Sequence, residues 1–415
     1  MEDRPNSAPS TLVRRTAFPD SVSRAVVTPL QPSVVYASPS PDALDAQYEG
    51  TAKGYTYARE GHPNAEVLAS KIDMLEGAEG GLIVGSGMAA VAAVLMGLLK
   101  AGDHVVGGDQ LYGRSLRMLT QDLPRFGIHA TFADPTDAGA MAAAIRPETR
   151  LILVEVVSNP TLRVADMEGI AALARDRGVL LMVDNTFTTP IGYKPFDHGA
   201  DLVIHSVTKL LAGHSDVTLG YAAARNPEHR RAIYDFATTA GMTPSPYDCW
   251  MAERGLYTFP LRFDRAEANA RALADHLAQL PGVETVIYPG RSDHPDHARA
   301  QSLLGGRDGN MLSFVIRGGR AEANRMIEAV PQLAFAPTLG DVGTTLSHPA
   351  SSSHRALTPG AREALGMTEG FFRVSVGIEE IDLLKADFSQ ALGALCPAAK
   401  ARAAATSRQA PRRRN

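Results

Sequence analysis

Short apolar runs alternate with longer alanine-rich stretches through the first half of this 415-residue chain, and this alternation constrains the fold more than any other feature. The runs cover residues 81–84, 104–106, 151–157, 180–183 and 202–204. Strands that are buried on both faces have such continuous apolar runs, and strands that alternate with helices form a mostly parallel sheet. The sequence therefore predicts an α/β core domain.

The chain changes character after this region, which indicates a second domain. A long charged stretch at residues 261–280 has the periodicity of a helix, and the segments 311–316 and 371–376 are typical of strands. We expect a large α/β domain at residues 61–258 and a smaller α+β domain at residues 259–397.

Both ends of the chain differ in composition from the two domains. Its first forty residues are rich in Pro, Ser and Thr, and we expect residues 1–60 to form an N-terminal arm. Residues 398–415 are basic and have few large apolar side chains, which predicts a disordered tail.

The composition excludes several classes of partner. With 41 Lys and Arg against 45 Asp and Glu, the net charge of −4 gives no field that would hold nucleic acid or a membrane surface. The two cysteines, Cys249 and Cys396, cannot build a disulfide framework or a four-cysteine zinc site, and we expect no metal. No apolar run approaches the ~18 residues that a membrane helix needs. We expect a soluble cytoplasmic protein.

One predicted strand, at residues 202–204, leads into Ser206, Thr208 and Lys209. Open α/β sheets bind ligands at the carboxyl ends of their strands, so Lys209 is placed where chemistry usually occurs. A lysine in low-dielectric surroundings loses its proton readily and can then attack a carbonyl. The two hydroxyls could bind a phosphate beside it. Taken alone, the Thr208–Lys209 pair is more typical of a surface lysine that ends a strand.

Two further strand ends carry polar groups. Asp184 follows the apolar run 180–183, and a carboxylate there can hold a pyridine nitrogen protonated, although an aspartate at this place is also typical of a helix N-cap. The segment 85–88, Gly-Ser-Gly-Met, joins a strand to a helix, where backbone N–H groups bind anions. Together with Lys209, these are the parts needed to hold pyridoxal 5′-phosphate.

Seven motifs occur in an order that is typical of one enzyme family. They are Tyr55-Thr-Tyr57-Ala-Arg59, Ser86-Gly-Met-Ala-Ala90, Leu111-Tyr112-Gly113, Ser158-Asn159-Pro160-Thr161-Leu162, Val183-Asp184-Asn185-Thr186, Ser206-Val-Thr-Lys209 and Arg373-Val-Ser-Val-Gly377. Through them the chain resembles the Cys/Met-metabolism (trans-sulfuration) family of pyridoxal-phosphate enzymes, which includes cystathionine γ-lyase, cystathionine β-lyase, cystathionine γ-synthase and methionine γ-lyase. The resemblance extends from about Pro29 to Leu392. It implies the aminotransferase-like fold (fold type I), with a large, mostly parallel α/β domain and a smaller C-terminal α+β domain.

The resemblance also implies how the chain would hold pyridoxal 5′-phosphate. Lys209 would bond covalently to the cofactor and move protons during the reaction, and Asp184 would pair with the ring nitrogen. Tyr112 would stack on the ring and assist proton transfer at the leaving group. The phosphate contacts are implied for the backbone of Gly87 and Met88 and for the hydroxyls of Ser206 and Thr208.

Substrate binding and assembly are implied in the same way. Arg373 would bind the α-carboxylate of a small amino acid, with Asn159 close to both carboxylate and cofactor. Tyr57 and Arg59 would reach across a subunit interface to the neighbour's phosphate, so that the arm makes a composite site and a dimer is the smallest active unit. Family members are typically homotetramers, each a dimer of such dimers.

The sequence departs from the family pattern at positions that set specificity. Arg114 occupies a position where many members have Gly or Cys. Its side chain would either lie near the distal end of the substrate, or face solvent or form an inter-subunit ion pair. Thr338 replaces a serine that orients the catalytic lysine. Gly343 replaces a glutamate of cystathionine-handling members, and Ala237-Thr238 lacks the Lys-Asp pair of methionine γ-lyases. His214 and Asp216 fit the family pattern, and we interpret them as structural.

The reaction favoured by these residues is α,γ-elimination of a γ-substituted, sulfur-containing amino acid resembling cystathionine, methionine or homocysteine, which gives a 2-oxo acid, ammonia and a thiol or other leaving group. The alternatives are γ-replacement, as in cystathionine γ-synthase or an O-acylhomoserine sulfhydrylase, and β-elimination, as in cystathionine β-lyase. A non-catalytic cofactor-binding protein is a third class, which the intact set of Lys209, Asp184, Tyr112 and Arg373 disfavours.

Overall fold

A seven-stranded sheet forms the larger part of the computed structural model, which describes residues 22–23, 25–355 and 357–395. The start of the predicted arm, Cys396 and the predicted tail lie outside the described residues. The strands are β1 (Leu82–Val84), β2 (His104–Gly108), β3 (His129–Ala133), β4 (Thr149–Glu155), β5 (Leu180–Asp184), β6 (Leu202–Ser206) and β7 (Gly220–Ala224). Their order in the sheet is β1-β7-β6-β5-β4-β2-β3, with only β7 antiparallel to its neighbours.

Burial on both faces explains the apolar runs. Along β4, Leu151 and Leu153 pack into the hydrophobic cluster on one side of the sheet, while Ile152 and Val154 pack into the cluster on the other. The strand ends at Glu155, two residues before the predicted end, because the chain turns there into the loop that carries the cis Asn159–Pro160 bond. Strands β3 and β7 were not predicted.

Helices surround this sheet. They are α1 (Pro41–Tyr48), α2 (Pro63–Glu76), α3 (Gly87–Leu98), α4 (Gly113–Arg117), α5 (Ala138–Ala144), α6 (Met167–Arg177), α7 (Thr189–Gly192), α8 (Pro227–Thr239) and α9 (Pro246–Leu256), with a π-helical turn at Met118–Asp122 after α4. Helix α3 begins at Gly87 because the hydroxyl of Ser86 accepts the Ala89 N–H at 3.0 Å and so caps the helix. No helix among the described residues is long and apolar enough to cross a membrane.

A second sheet of five strands follows in the chain. It contains β8 (Val283–Ile287), β9 (Met311–Ile316), β10 (Ala334–Phe335), β11 (Thr345–Ser347) and β12 (Phe371–Ser375), in the order β10-β11-β12-β9-β8. The associated helices are α10 (Phe259–Leu277), α11 (His297–Leu304), α12 (Arg320–Glu328), α13 (Pro359–Ala364) and α14 (Ile381–Gly393). Its core includes Phe314, which stacks on Phe372 and meets Phe388 edge-on.

Arg262 on α10 ties the C-terminal part of the chain to the turn that follows Lys209. Its buried guanidinium donates to the carbonyls of Leu210 at 2.9 Å, Leu211 at 3.1 Å and Gly255 at 2.8 Å. Burial lowers the pKa of Arg262 to about 10. Gly213, at φ +78°, leaves no room for a side chain beside this guanidinium. The position of Lys209 therefore depends on a residue from α10.

Candidate active site

The carboxyl ends of three neighbouring strands place polar residues side by side. Asp184 ends β5 and is in register with Glu155 on β4, while β6 ends at Ser206, three residues before Lys209. Parallel strands lie ~4.8 Å apart, so their terminal side chains share one small region. The predicted lysine, aspartate and phosphate-binding serine therefore meet at one edge of the sheet.

Lys209 is in contact with Thr338, a residue from the C-terminal part of the chain. Its Nζ donates to the hydroxyl of Thr338 at 3.4 Å. Burial lowers the pKa of Lys209, and the positive charge of Arg373 lowers it further. Gly340, at φ +80°, lets the stretch of chain after Thr338 lie against the lysine backbone, since a Cβ there would be 2.5 Å from the Leu210 nitrogen. The result is an amine with a raised share of its neutral, reactive form.

Arg373 is a buried guanidinium with one nitrogen that lacks a partner among the described residues. It lies on β12 and donates to the side-chain oxygen of Asn159 at 2.7 Å and to the carbonyl of Thr338 at 2.9 Å. Its Nε is enclosed and has no hydrogen-bond partner among the described residues. Burial lowers its pKa to about 10, with Tyr112 and Glu155 opposing this shift. A buried donor without a partner is costly, so an incoming carboxylate would be stabilised here.

Asp184 is half-buried, and one of its oxygens is occupied. Its Oδ1 accepts from the backbone N–H of Thr186 at 3.1 Å and from the Thr186 hydroxyl at 2.6 Å. Burial raises the pKa of Asp184, and the hydrogen bonds from Thr186 oppose that shift. A cationic ring nitrogen beside Asp184 would compensate the cost of its buried charge.

The N-terminus of α3 packs tightly against the end of β6. A Cβ on Gly87 would lie 2.7 Å from the Cβ of Ser206, so only glycine allows this approach. The N–H groups of the first helical turn that Ser86 does not cap are left for a ligand, and Gly87 and Met88 supply them. The donors present therefore fit a phosphate. Thr208, by contrast, uses its hydroxyl to donate to the Leu219 carbonyl at 3.2 Å and to accept the Leu219 N–H at 3.0 Å.

Tyr112 begins helix α4 beside these groups. Its side chain is 39% exposed, and its backbone N–H donates to the Glu155 carboxylate at 2.6 Å. Arg114, two residues further on, lies on the same helix. A Cβ on Gly343 would lie 3.2 Å from Asp341 Oδ1, a tight contact, and 3.9 Å from Glu379 Oε1.

Tyr57 and Arg59 are not brought to Lys209 of their own chain. Both are exposed, with the Arg59 guanidinium 5.3 Å from the centre of the Tyr57 ring and 3.5 Å from Glu60. Arg59 borders a small cavity that is also lined by Ala237 and Thr238, two of the positions at which the sequence departs from methionine γ-lyases. A role at a neighbouring subunit's phosphate stays a prediction.

Two residues of this site were not found from the sequence. Glu155 falls within a run that predicts an apolar strand, and the one available signal is a carboxylate close to that strand's end. His354 lies in a serine-rich loop, where nothing local marks it as buried. In the structure it is 2% exposed, and its Nε2 has no hydrogen-bond partner among the described residues.

Comparison with known proteins identifies the family. The family model described as Cys/Met metabolism PLP-dependent enzyme matches residues 10–393. This chain belongs to that family. The enzyme is 39% identical to cystathionine beta-lyase MetC of Bacillus subtilis (strain 168), over 93% of this chain and 96% of that protein. It is 37% identical to L-methionine gamma-lyase of Pseudomonas putida, over 91% and 94% of the two chains.

Comparison with solved structures supports the same family. The cystathionine gamma synthase from Xanthomonas oryzae pv. oryzae, in complex with aminoacrylate and cysteine, superposes with a TM-score of 0.85 at 35% identity, over 91% of this chain and 95% of that one. The predicted fold class is confirmed, and pyridoxal 5′-phosphate is the enzyme's cofactor. The enzyme is a pyridoxal-phosphate-dependent enzyme of trans-sulfuration, in a family whose members catalyse β-elimination, γ-elimination and γ-replacement.

The buried His354 predicts an acid-sensitive stability. Its Nδ1 shares a hydrogen bond of 2.9 Å with the Ser353 hydroxyl, and burial, aided by the charge of Arg373, lowers its pKa from 6.5 to about 4. Its contribution is complete above pH 6.5 and is lost as the pH falls through about 4, because only the unfolded chain takes up the proton readily. The free energy of unfolding falls by about 3 kcal/mol when His354 becomes protonated.

Urea unfolding of the wild type and of His354→Gln, followed across this pH range, measures the effect. We expect the difference in unfolding free energy between the two proteins to shrink on acidification. A difference that stays constant with pH would contradict the prediction. His276→Gln, which removes a histidine bonded to Ser389 outside the site, is the matched control.

Proposed function

We propose that the enzyme catalyses α,γ-elimination, in which a γ-substituted amino acid and water give a 2-oxo acid, ammonium and a thiol or other leaving group. The observation that supports this best is the placement of the Lys209 amine, which has a single side-chain hydrogen bond among the described residues, at 3.4 Å, to Thr338. Elimination at Cγ needs proton transfers at Cα and again at Cβ, so it needs a base that can move between them. A lysine with one long hydrogen bond and a lowered pKa suits that task.

The other residues would bind and orient the substrate. Arg373 and Asn159 would hold the α-carboxylate, which fixes the Cα–H bond relative to Lys209. Bound pyridoxal phosphate supplies an electron sink for the negative charge that develops at Cα, with Asp184 keeping its ring nitrogen protonated. Lys209 would remove the Cα proton, give that proton up within the site and, neutral again, remove a Cβ proton. The Tyr112 hydroxyl would give a proton to the leaving group.

A product assay across β- and γ-substituted amino acids tests this proposal. Cystathionine, methionine and homocysteine are supplied in turn, and ketoacid, thiol and ammonia are identified. We expect 2-oxobutanoate and ammonia in equal amounts from the γ-substituted substrates. Pyruvate as the only ketoacid would replace the proposal with β-elimination, the activity named for the Bacillus subtilis relative.

The γ-replacement alternative needs a second arm of the same assay. An O-acylhomoserine is supplied with and without cysteine or sulfide. Thioether or homocysteine formed above the ketoacid background would favour a synthase or a sulfhydrylase. An O-succinylhomoserine sulfhydrylase of Pseudomonas aeruginosa is 38% identical to this chain. Ketoacid formation that is unaffected by the added thiol supports elimination.

We also propose that the active site is shared between two subunits of a homotetramer. The exposure of Tyr57 and Arg59, away from Lys209 of their own chain, supports this arrangement. Arg59→Ala and Lys209→Ala should each be inactive alone. Co-expressed as differently tagged chains, they should recover about a quarter of wild-type activity, because half of the random dimers are mixed and each mixed dimer has one intact site.

The recovered activity should co-purify with material that carries both tags. The control mixture contains Lys194→Ala in place of Arg59→Ala, together with Lys209→Ala. Lys194 is exposed and lies outside the site, so this mixture shows the activity expected when inactive Lys209→Ala chains simply dilute active ones. If the Arg59→Ala and Lys209→Ala mixture stays inactive although mixed oligomers form, Arg59 acts within its own subunit.

A further inference from the structure

Glu155 joins three parts of the active site that are far apart in the sequence. It ends β4 in register with Asp184, and its Oε1 accepts the backbone N–H of Tyr112 at 2.6 Å. Its Oε2 is enclosed and has no hydrogen-bond partner among the described residues. The residue thus lies between the tyrosine, the aspartate and the carboxylate-binding pair formed by Arg373 and Asn159.

The backbone of Tyr112 depends on this contact. Tyr112 is the N-cap residue of α4, and its side chain makes no capping hydrogen bond. The loop before it is fastened to the same region, since the side chain of Gln110 accepts from the Ser158 hydroxyl at 3.1 Å. On the other side, Gly113 packs directly against the carbonyl of Ser353. Glu155 is the side chain that fixes the backbone of the tyrosine itself.

The electrostatic setting makes this carboxylate unusual. Burial raises the pKa of Glu155 well above its usual value, and the negative charge of Asp184 raises it further, while the positive charge of Arg373 opposes the shift. Two neighbouring buried carboxylates cannot both ionise without cost. A neutral glutamine should therefore replace Glu155 with little loss, provided that its carbonyl still accepts the Tyr112 N–H.

We propose that Glu155 is a positioning residue that holds the backbone of Tyr112 so that its ring faces the cofactor and its hydroxyl reaches the leaving group. This inference rests on the proposed elimination, in which Tyr112 protonates the leaving group. Glu155 would affect the departure of the leaving group and the geometry of the bound cofactor. It would make no direct contact with the substrate.

The test compares Glu155→Ala with Glu155→Gln in the cofactor-loaded enzyme. Two substrates are used that differ only in the thiol they release, one an alkyl thiol and the other an acidic aryl thiol that leaves without protonation. For Glu155→Ala we expect kcat to fall about 30-fold with the alkyl thioether and about 3-fold with the aryl thioether, with little change in KM. Glu155→Gln should recover most of the loss.

A second measurement does not depend on turnover. Circular dichroism in the absorption band of the bound cofactor reports the asymmetric surroundings of its ring. We expect this signal, per bound cofactor, to drop in Glu155→Ala and to be retained in Glu155→Gln. Glu267→Gln is the matched control, because Glu267 also accepts a buried backbone N–H, from Gly309 at 2.9 Å, and plays no part in the site.

The two leaving groups and the dichroism signal distinguish positioning of Tyr112 from a purely structural role of Glu155. Equal losses with both thioethers and an unchanged dichroism signal would mean a structural role only and would overturn the proposal. If Glu155→Ala does not fold, Glu155→Asp, which is one methylene too short to reach Tyr112, must show the same selective loss. Should the wild type prove to be a β-lyase, the same pair of leaving groups placed at Cβ tests Glu155 independently of the proposed γ-elimination.

Discussion

Replacing Lys209 with alanine is expected to lower kcat/KM for ketoacid formation by about 10⁴-fold or more, because the proposed mechanism makes one side chain both the attachment point of the cofactor and the base for the proton transfers at Cα and Cβ. The structure offers no substitute amine among the described residues: Thr338 is the side chain that contacts Lys209 Nζ, and the nearby Arg373 stays positively charged. The residual rate should not return at higher pH, because raising the pH cannot restore the missing amine.

The absorbance of the bound cofactor near the visible edge checks the same variant without turnover. In Lys209→Ala the band of the covalently attached cofactor should vanish, while circular dichroism in the far ultraviolet stays unchanged. Lys194→Ala, whose side chain is exposed, should match the wild type in both respects. A Lys209→Ala enzyme with more than about a tenth of wild-type activity would remove Lys209 from its assigned role.

Local patterns were enough to predict the cofactor end of the site. Lys209 and Asp184 follow continuous apolar runs, and Gly87 opens an alanine-rich helix, so each is marked by its immediate neighbours in the sequence. The parallel sheet then brings all three to one edge, which follows from topology alone. This part of the site needed no knowledge of contacts between distant segments.

Other parts of the site depend on such contacts and could not be predicted. Glu155 accepts its hydrogen bond from Tyr112, which lies 43 residues earlier in the chain. Arg262 looked like an ordinary charge on a helix, and only the packing of α10 against the chain after Lys209 buries it. The Thr208 hydroxyl is bonded to Leu219, 11 residues later, and its contact with the phosphate stays a prediction. The neighbouring residues in the sequence do not indicate which distant group each of these side chains will contact.

Specificity depends on what surrounds the reacting groups. Gly343 lies close to Glu379, since a Cβ there would be 3.9 Å from Glu379 Oε1. The Glu379 carboxylate accepts the Thr344 hydroxyl at 2.9 Å and so helps to keep the segment around Gly343 in place. Arg114 adds a positive charge near Tyr112. These positions could change which leaving group is preferred without altering the residues that hold cofactor and α-carboxylate.

Arg373→Lys is expected to raise KM about 100-fold while kcat changes less than about 3-fold, because the α-carboxylate is bound equally in the ground state and in the transition state. Lysine keeps the charge, but its three N–H donors radiate from one nitrogen and cannot reproduce the planar fork whose separate nitrogens bond Asn159 Oδ1 and the Thr338 carbonyl and face a carboxylate. A fall in kcat with an unchanged KM would contradict this role.

Two comparisons separate carboxylate binding from damage to the fold. Arg299→Lys is the matched control, since the guanidinium of Arg299 also bridges two oxygens, here the backbone carbonyls of Val164 and Thr136, each at 2.9 Å, and lies apart from Lys209. It should leave KM unchanged. A substrate amide that lacks the α-carboxylate should bind Arg373→Lys and the wild type with the same affinity, because the charge that the guanidinium fork recognises is absent. Weaker amide binding to Arg373→Lys would instead mean that Arg373 shapes the pocket through Asn159 and Thr338 rather than through the substrate.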